Sequence, residues 1–260
     1  MELNLKGKTV LITGGSRGIG YAIADSMAGE GCRLRIVGRN PETLEAARAA
    51  LAGKGAEVAT HCCDLADPEA TAAFLERLDP DIDILVNNAG AIPRGRLTEL
   101  GEAPWRASWE LKVFSYINLC RTVYAHMCAR KRGVIINIIG AGGERPTAAY
   151  IAGSTANAAL MAFTQALGGE SVDQGVRVLA INPGLTETER MRALLQDDAQ
   201  RQLGTMDRWR ELTNSRPFGR AARAEEIAAV ATFMASDRAS YISGTVITVD
   251  GGSTTRHAPI

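Results

Sequence analysis

Aromatic residues are scarce in this 260-residue chain, at 5%, and its three histidines, His61, His126 and His257, are far apart in sequence. None is paired with a carboxylate or a second histidine at ligand spacing, so no metal site is expected. An excess of either charge is also lacking. With 29 Lys and Arg against 29 Asp and Glu, bulk charge does not draw the chain to nucleic acid or to an anionic membrane. No apolar run reaches the roughly eighteen residues of a membrane span, and the mixed stretch from Met1 to Lys8 does not read as a signal peptide. A cytoplasmic protein is the expectation. The five cysteines, Cys32, Cys62, Cys63, Cys120 and Cys128, are odd in number and lack metal-ligand spacing. Most lie in apolar stretches, as reduced core thiols do.

The chain does contain enough apolar sequence for one sizeable core, 46% hydrophobic against 22% charged, which fits a single α/β domain over residues 1–260. Short β-branched or apolar runs recur at Thr9 to Thr13, Leu34 to Val37, Glu57 to His61, Ile82 to Val86, Val134 to Ile138, Arg177 to Ile181 and Thr245 to Val249. Stretches of helical period separate nearly all of them. Repeated βαβ units predict a doubly wound, mostly parallel sheet with helices on both faces. Proline near helix starts, at Pro41 and Pro68, and the turn Asn182-Pro183-Gly184 punctuate this pattern. The segment 189–216 departs from it. Long, charged and rich in arginine, it reads as a substrate lid whose mixed charges form a solvated face, with Leu194, Leu195, Leu203, Met206 and Trp209 as an apolar wall.

The first strand runs into Thr13-Gly14-Gly15-Ser16-Arg17-Gly18-Ile19-Gly20. Here Gly14 permits a tight turn, while Gly18 and Gly20 let backbone approach a pyrophosphate and let the following helix pack closely on the strand. About twenty residues later, at the end of the second strand, an acidic residue would hold the adenosine ribose diol. This chain has Gly38-Arg39-Asn40 there instead, and Arg39 together with Arg17 suits the 2′-phosphate of NADP.

These motifs resemble the classical short-chain dehydrogenase/reductase family over nearly the whole chain. The glycine loop matches its cofactor motif through Gly14, Ser16, Arg17, Gly18, Ile19 and Gly20. Asp64-Leu65 matches its adenine-contacting pair, and Asn87-Asn88-Ala89-Gly90 its motif after the fourth strand. Pro183-Gly184 with Thr188 resembles the segment that meets the nicotinamide end, and Asp250-Gly251-Gly252 resembles the carboxyl-terminal turn. The resemblance implies a seven-stranded Rossmann-type sheet, NADP use and a homo-oligomer, dimer or tetramer.

The resemblance also implies four catalytic side chains, and here the chain departs from its family. Tyr150 aligns with the acid/base tyrosine. The lysine expected four residues later, which lowers the phenol from its usual pKa of about 10, is Ser154. The serine that polarises the carbonyl aligns with Gly140, and only about ten residues separate Gly140 from Tyr150, fewer than is usual in the family. The asparagine of the long central helix aligns with Lys112, so a lysine lost at 154 is matched by one gained at 112. Lys112 is therefore expected to supply the missing positive charge beside Tyr150 and to meet the nicotinamide ribose. Asn157, seven residues after Tyr150, is read on the same helix face as Tyr150, as is Ser154, which is carried as a catalytic candidate; both can also satisfy polar groups at a subunit seam. Glu144 beside Arg145 reads as a solvated ion pair. The favoured function is an NADP-dependent oxidoreductase interconverting an alcohol and a carbonyl on a small-molecule substrate. The alternatives are a non-redox lyase, epimerase or dehalogenase-like enzyme on the same fold, and a protein that binds NADP without turnover.

Overall fold

The computed structural model describes residues 2–256; Met1 and residues 257–260, including His257, lie outside the described residues. Seven strands form one parallel sheet: β1 (Thr9–Thr13), β2 (Arg33–Gly38), β3 (Val58–Cys62), β4 (Ile84–Asn87), β5 (Gly133–Ile138), β6 (Val176–Pro183) and, after two short strands, β9 (Val246–Val249). The short pair, β7 (Thr186–Glu187) and β8 (Ala222–Arg223), makes a separate two-stranded ribbon. Strand order in the main sheet is β3-β2-β1-β4-β5-β6-β9. The order reverses between β1 and β4, which opens a crevice beyond their carboxyl ends.

Both faces of the sheet are covered, so its central strands are apolar at successive positions rather than at alternate ones. Val10, Ile12, Ile84 and Val86 face one core with Ile23 and Met27 of α1 (Gly18–Gly29) and Ile227 and Ala231 of α8 (Ala224–Ala235). Leu11, Val37, Leu85 and Ile135 face the other, with Leu119, Val123 and Met127 of α5 (Ser115–Arg130). Each fully buried Leu, Ile or Val contributes on the order of 2 kcal/mol from its burial.

Helix starts follow the local sequence. Asn40 Oδ1 accepts from Thr43 N–H at 2.8 Å at the head of α2 (Pro41–Ala52), and Asp67 does the same for Glu69 and Ala70 at the head of α3 (Pro68–Glu76), each with proline in the first turn. The fourth helix, α4 (Glu102–Trp109), runs without a break through a π-helical turn at Glu110–Phe114 into α5. The sixth, α6 (Ile151–Glu170), lies against β6, and its first turn is capped by Tyr150.

The 189–216 segment folds as α7 (Glu189–Leu203) and a 3-10 helix (Met206–Thr213). Leu195, Ala199 and Trp209 close a small core of their own with Leu203 and Leu212, which leaves only Leu194 and Met206 of the expected apolar wall exposed. Its arginines are mostly matched by carboxylates: Arg192 with Glu187 at 3.0 Å, Arg208 with Glu211 at 2.7 Å, and Arg201 with Asp198. Cys32, Cys63 and Cys120 are buried and Cys62 is exposed, all unpaired. Among the described residues no helix is long and apolar enough to cross a membrane.

Candidate active site

The crevice at the carboxyl ends of β1 and β4 is held together by its own backbone. Thr13 Oγ1 accepts from the N–H groups of Asn88 and Ala89 at 2.9 and 3.0 Å, and Asn88 Nδ2 donates back to the carbonyls of Thr13 and Gly14. Gly14 has φ of +63°, a conformation that L side chains rarely adopt. A Cβ at Gly20 would overlap the Gly14 carbonyl, so the first turn of α1 and the glycine loop approach as closely as backbone allows. Thr188, the N-cap of α7, lies against Gly18, and the Arg17 guanidinium is 3.9 Å from Glu189, so the start of α7 borders the glycine loop. Pro183-Gly184 meets the last turn: Gly184 N–H donates to Val249, and the Asp250 carboxylate accepts from Gly252 and Thr254.

These residues fit a phosphorylated dinucleotide. The loop has no side chain where a pyrophosphate would approach, the amino end of α1 supplies unpaired N–H groups, and Arg17 and Arg39 are exposed beside it. Other residues expected at the cofactor also hold positions within the protein. Asn40 caps α2, Asp64 accepts from Ala66 N–H at 3.0 Å, and Leu65 is core. Ser16 links the loop to Thr43 at 3.4 Å.

The neighbouring site, at the ends of β4, β5 and β6, is made of side chains that fill space left by glycines. Lys112, on the π-helical turn, is buried and points at β5: its ammonium donates to the Ile138 carbonyl at 2.7 Å and to the Tyr116 hydroxyl at 3.0 Å, and Tyr116 donates to the same carbonyl. Its stem runs along Gly90, where an added Cβ would lie 2.6 Å from Cδ. Burial lowers the Lys112 pKa to about 7 and raises that of Tyr116 well above its usual value. A π-turn inside a helix commonly marks a functional position, and here it directs residue 112 inward.

The Tyr150 ring lies where a side chain at Gly153 would stand, and its backbone pairs with Gly95. Burial raises the phenol pKa; Arg190 of α7 and then Arg94 act against that shift. Two expectations change at this point. Lys112 is turned to Tyr116 and Ile138, and the cations that act on the phenol are Arg190 and Arg94. The Ser154 hydroxyl is taken up otherwise: Tyr150 is the N-cap of α6 with its ring over Gly153, and Ser154 Oγ accepts from Thr147 N–H at 3.2 Å and anchors the loop. Glu144 is paired with Asn182 at 2.7 Å and with Thr248, not with Arg145. Sequence reasoning left Asn157 at a subunit seam; the structure brings it into this cluster, with a Cβ at Gly142 lying 3.6 Å from both its Nδ2 and the Tyr150 ring. The ten-residue spacing was the available signal, since a shortened loop moves the phenol back along α6 and moves its neighbours with it.

A sequence profile described as enoyl-(acyl carrier protein) reductase matches residues 14–254. The chain belongs to the short-chain dehydrogenase/reductase family. Among its relatives in that family is a 3-oxoacyl-[acyl-carrier-protein] reductase of Chlamydia pneumoniae, 33% identical over 258 residues that cover 98% of this chain and 100% of the relative. Among solved short-chain dehydrogenase/reductase structures, L-sorbose reductase from Gluconobacter frateurii, complexed with NADPH and L-sorbose, superposes with a TM-score of 0.92 at 32% identity, covering 99% of this chain and 100% of that one. A 3-oxoacyl (acyl-carrier-protein) reductase from Agrobacterium tumefaciens with NADP bound superposes at 0.85 and 29% identity, covering 95% and 94%.

Proposed function

We propose that this chain is an NADPH-dependent reductase that converts a small carbonyl substrate to an alcohol, with Tyr150 as the proton donor. The observation that carries this reading is the pairing of a glycine-rich loop that bears the exposed Arg17 with an exposed Arg39 at the end of β2, where an acidic residue would select NAD. When bound, the nicotinamide supplies a hydride to the carbonyl carbon. The carbonyl oxygen takes the phenolic proton, so the C=O bond becomes C–H and O–H. Burial holds the phenol in its protonated form at neutral pH, the form that a proton donor needs.

Lys112 lies along Gly90 with its amine bonded to Ile138 and Tyr116, and its pKa of about 7 makes its charge sensitive to pH in the working range. The α7 segment acts as a lid from which Arg190 faces the phenol. The exposed small residues Ala158, Ala159 and Ala162 on α6 leave room for a second helix, in keeping with a dimer or tetramer.

Calorimetric titration tests the cofactor assignment. NADPH is expected to bind near the micromolar range, about 8 kcal/mol, with NADH at least about tenfold weaker. Arg39→Gln should remove that preference by weakening NADPH alone. Equal affinity for both cofactors, or binding of neither, would remove the assignment.

A further inference from the structure

We infer that Asn157 is a catalytic residue: its side-chain amide donates a hydrogen bond to the oxygen of the substrate carbonyl, next to the Tyr150 phenol. The inference rests on the reductase reading and adds a second ligand to the reacting oxygen. Asn157 is only 4% exposed, yet among the described residues no protein atom accepts from or donates to its amide. Nor is that amide among the polar atoms sealed away from solvent without a partner. A buried amide with no protein partner that still opens toward the cleft has its hydrogen-bonding capacity reserved for something that enters the cleft. The Tyr150 hydroxyl is in the same state, with no hydrogen bond to the protein among the described residues, whereas Ser154 is committed to Thr147, Asn182 to Glu144 and Lys112 to Ile138.

The glycines locate the donor. A Cβ at Gly140 would lie 2.9 Å from Asn157 Nδ2, so the amide reaches into the volume a side chain at 140 would take. Gly140 sits at φ of +142°, where any other residue is strained, so a hydroxyl cannot readily be supplied from position 140 itself. Gly142 separates the two unpaired groups, with the Tyr150 ring edge at 3.5 Å and Asn157 Nδ2 at 3.6 Å from the same Cβ position. The Tyr150 Cζ lies 1.9 Å from where a Cβ at Gly153 would stand, and Gly153 is one helical turn from Asn157 on α6, so a substrate oxygen that enters between the phenol and the amide is within reach of both. The phenol transfers its proton, while the amide stabilises the charge that develops as the carbonyl is reduced and keeps its own proton.

The test compares the wild-type protein with Asn157→Asp, which keeps the shape and loses the donor, and Asn157→Ser, which restores a smaller donor. NADPH-dependent reduction of a carbonyl panel and calorimetric binding of an unreducible amide analogue of the best ketone, in the presence of NADP, give two readouts. Asn157→Asp should lose about 100-fold in kcat and bind the analogue at least about tenfold more weakly, with NADPH affinity unchanged, and Asn157→Ser should recover part of both. Wild-type kcat and analogue affinity in Asn157→Asp would overturn the role of Asn157 and leave the reductase reading standing, as would an Asn157→Ser variant no better than Asn157→Asp. NADPH binding with no reduction of any carbonyl by wild-type protein would overturn the reductase reading and this inference together.

Discussion

The glycine-loop crevice and the candidate catalytic cluster are adjacent along one edge of the sheet, but they are built by different means. In the crevice, side chains brace backbone: Thr13 and Asn88 tie the ends of β1 and β4 together, and the ligand-facing surface is the glycine loop between them. In the cluster the backbone gives way and side chains converge, with Tyr150, Asn157 and Lys112 lying in the spaces of Gly153, Gly140 and Gly90. A cofactor common to many proteins is met by backbone that any conforming loop can present. A substrate oxygen needs donors at set positions, and those donors are delivered here from unexpected places in the chain.

Adding one methyl group to each region separates them. Gly153→Ala pushes the Tyr150 ring out of its place and should lower kcat about 100-fold or more, approaching Tyr150→Phe, while NADPH affinity stays within about twofold. Gly20→Ala drives a Cβ into the Gly14 carbonyl; it should abolish measurable NADPH binding and destabilise the fold by roughly 1–3 kcal/mol. Calorimetry and steady-state rates on the two variants check this, and a Gly153→Ala protein that lost NADPH instead would dissolve the distinction.

Lys112 sits between the regions, and its burial can be read through pH. Its folded pKa of about 7 lies below the unfolded value of 10.5, so between these values the unfolded chain holds the extra proton. Stability is therefore greatest above pH 10.5, falls by about 1.4 kcal/mol per unit toward pH 7, and does not fall further on this account below 7. Urea unfolding of wild type and Lys112→Met from pH 7 to 9 should diverge with that slope; parallel curves would place the lysine in solvent. The smallest effect is expected from Arg190→Gln. Removing that cation should raise the Tyr150 pKa further, moving any alkaline loss of reduction to higher pH, and an unmoved or acid-shifted limb would mean that Arg190 does not face the phenol.

The legibility of the sequence follows the same division. Strand positions could be read to within a residue or two because burial on both faces leaves continuous apolar runs, and the glycine loop because close backbone approach demands glycine at particular steps. Asn40 could be placed beside the loop, but its use as a helix cap depends on the N–H of Thr43 three residues on. Asp64 likewise accepts from the N–H of Ala66 two residues on.

The exchange between lysine and its partner position was visible as residue types, and the inward turn of Lys112 was not. It depends on one π-turn that rotates residue 112 toward β5. The nearness of Asn157 to Tyr150 was hidden for a related reason: with Tyr150 read as part of α6, position 154 was the nearest neighbour on its face, whereas as the helix cap Tyr150 lies back over Gly153 and flanks Gly142 together with Asn157. The sequence alone determined the sheet and the glycine-loop crevice, since these depend on local periodicity and on residue identity. Only the tertiary structure decided which polar groups share the cleft, because that depends on where helices start, how one turn is wound, and which side chains the packing leaves without a partner.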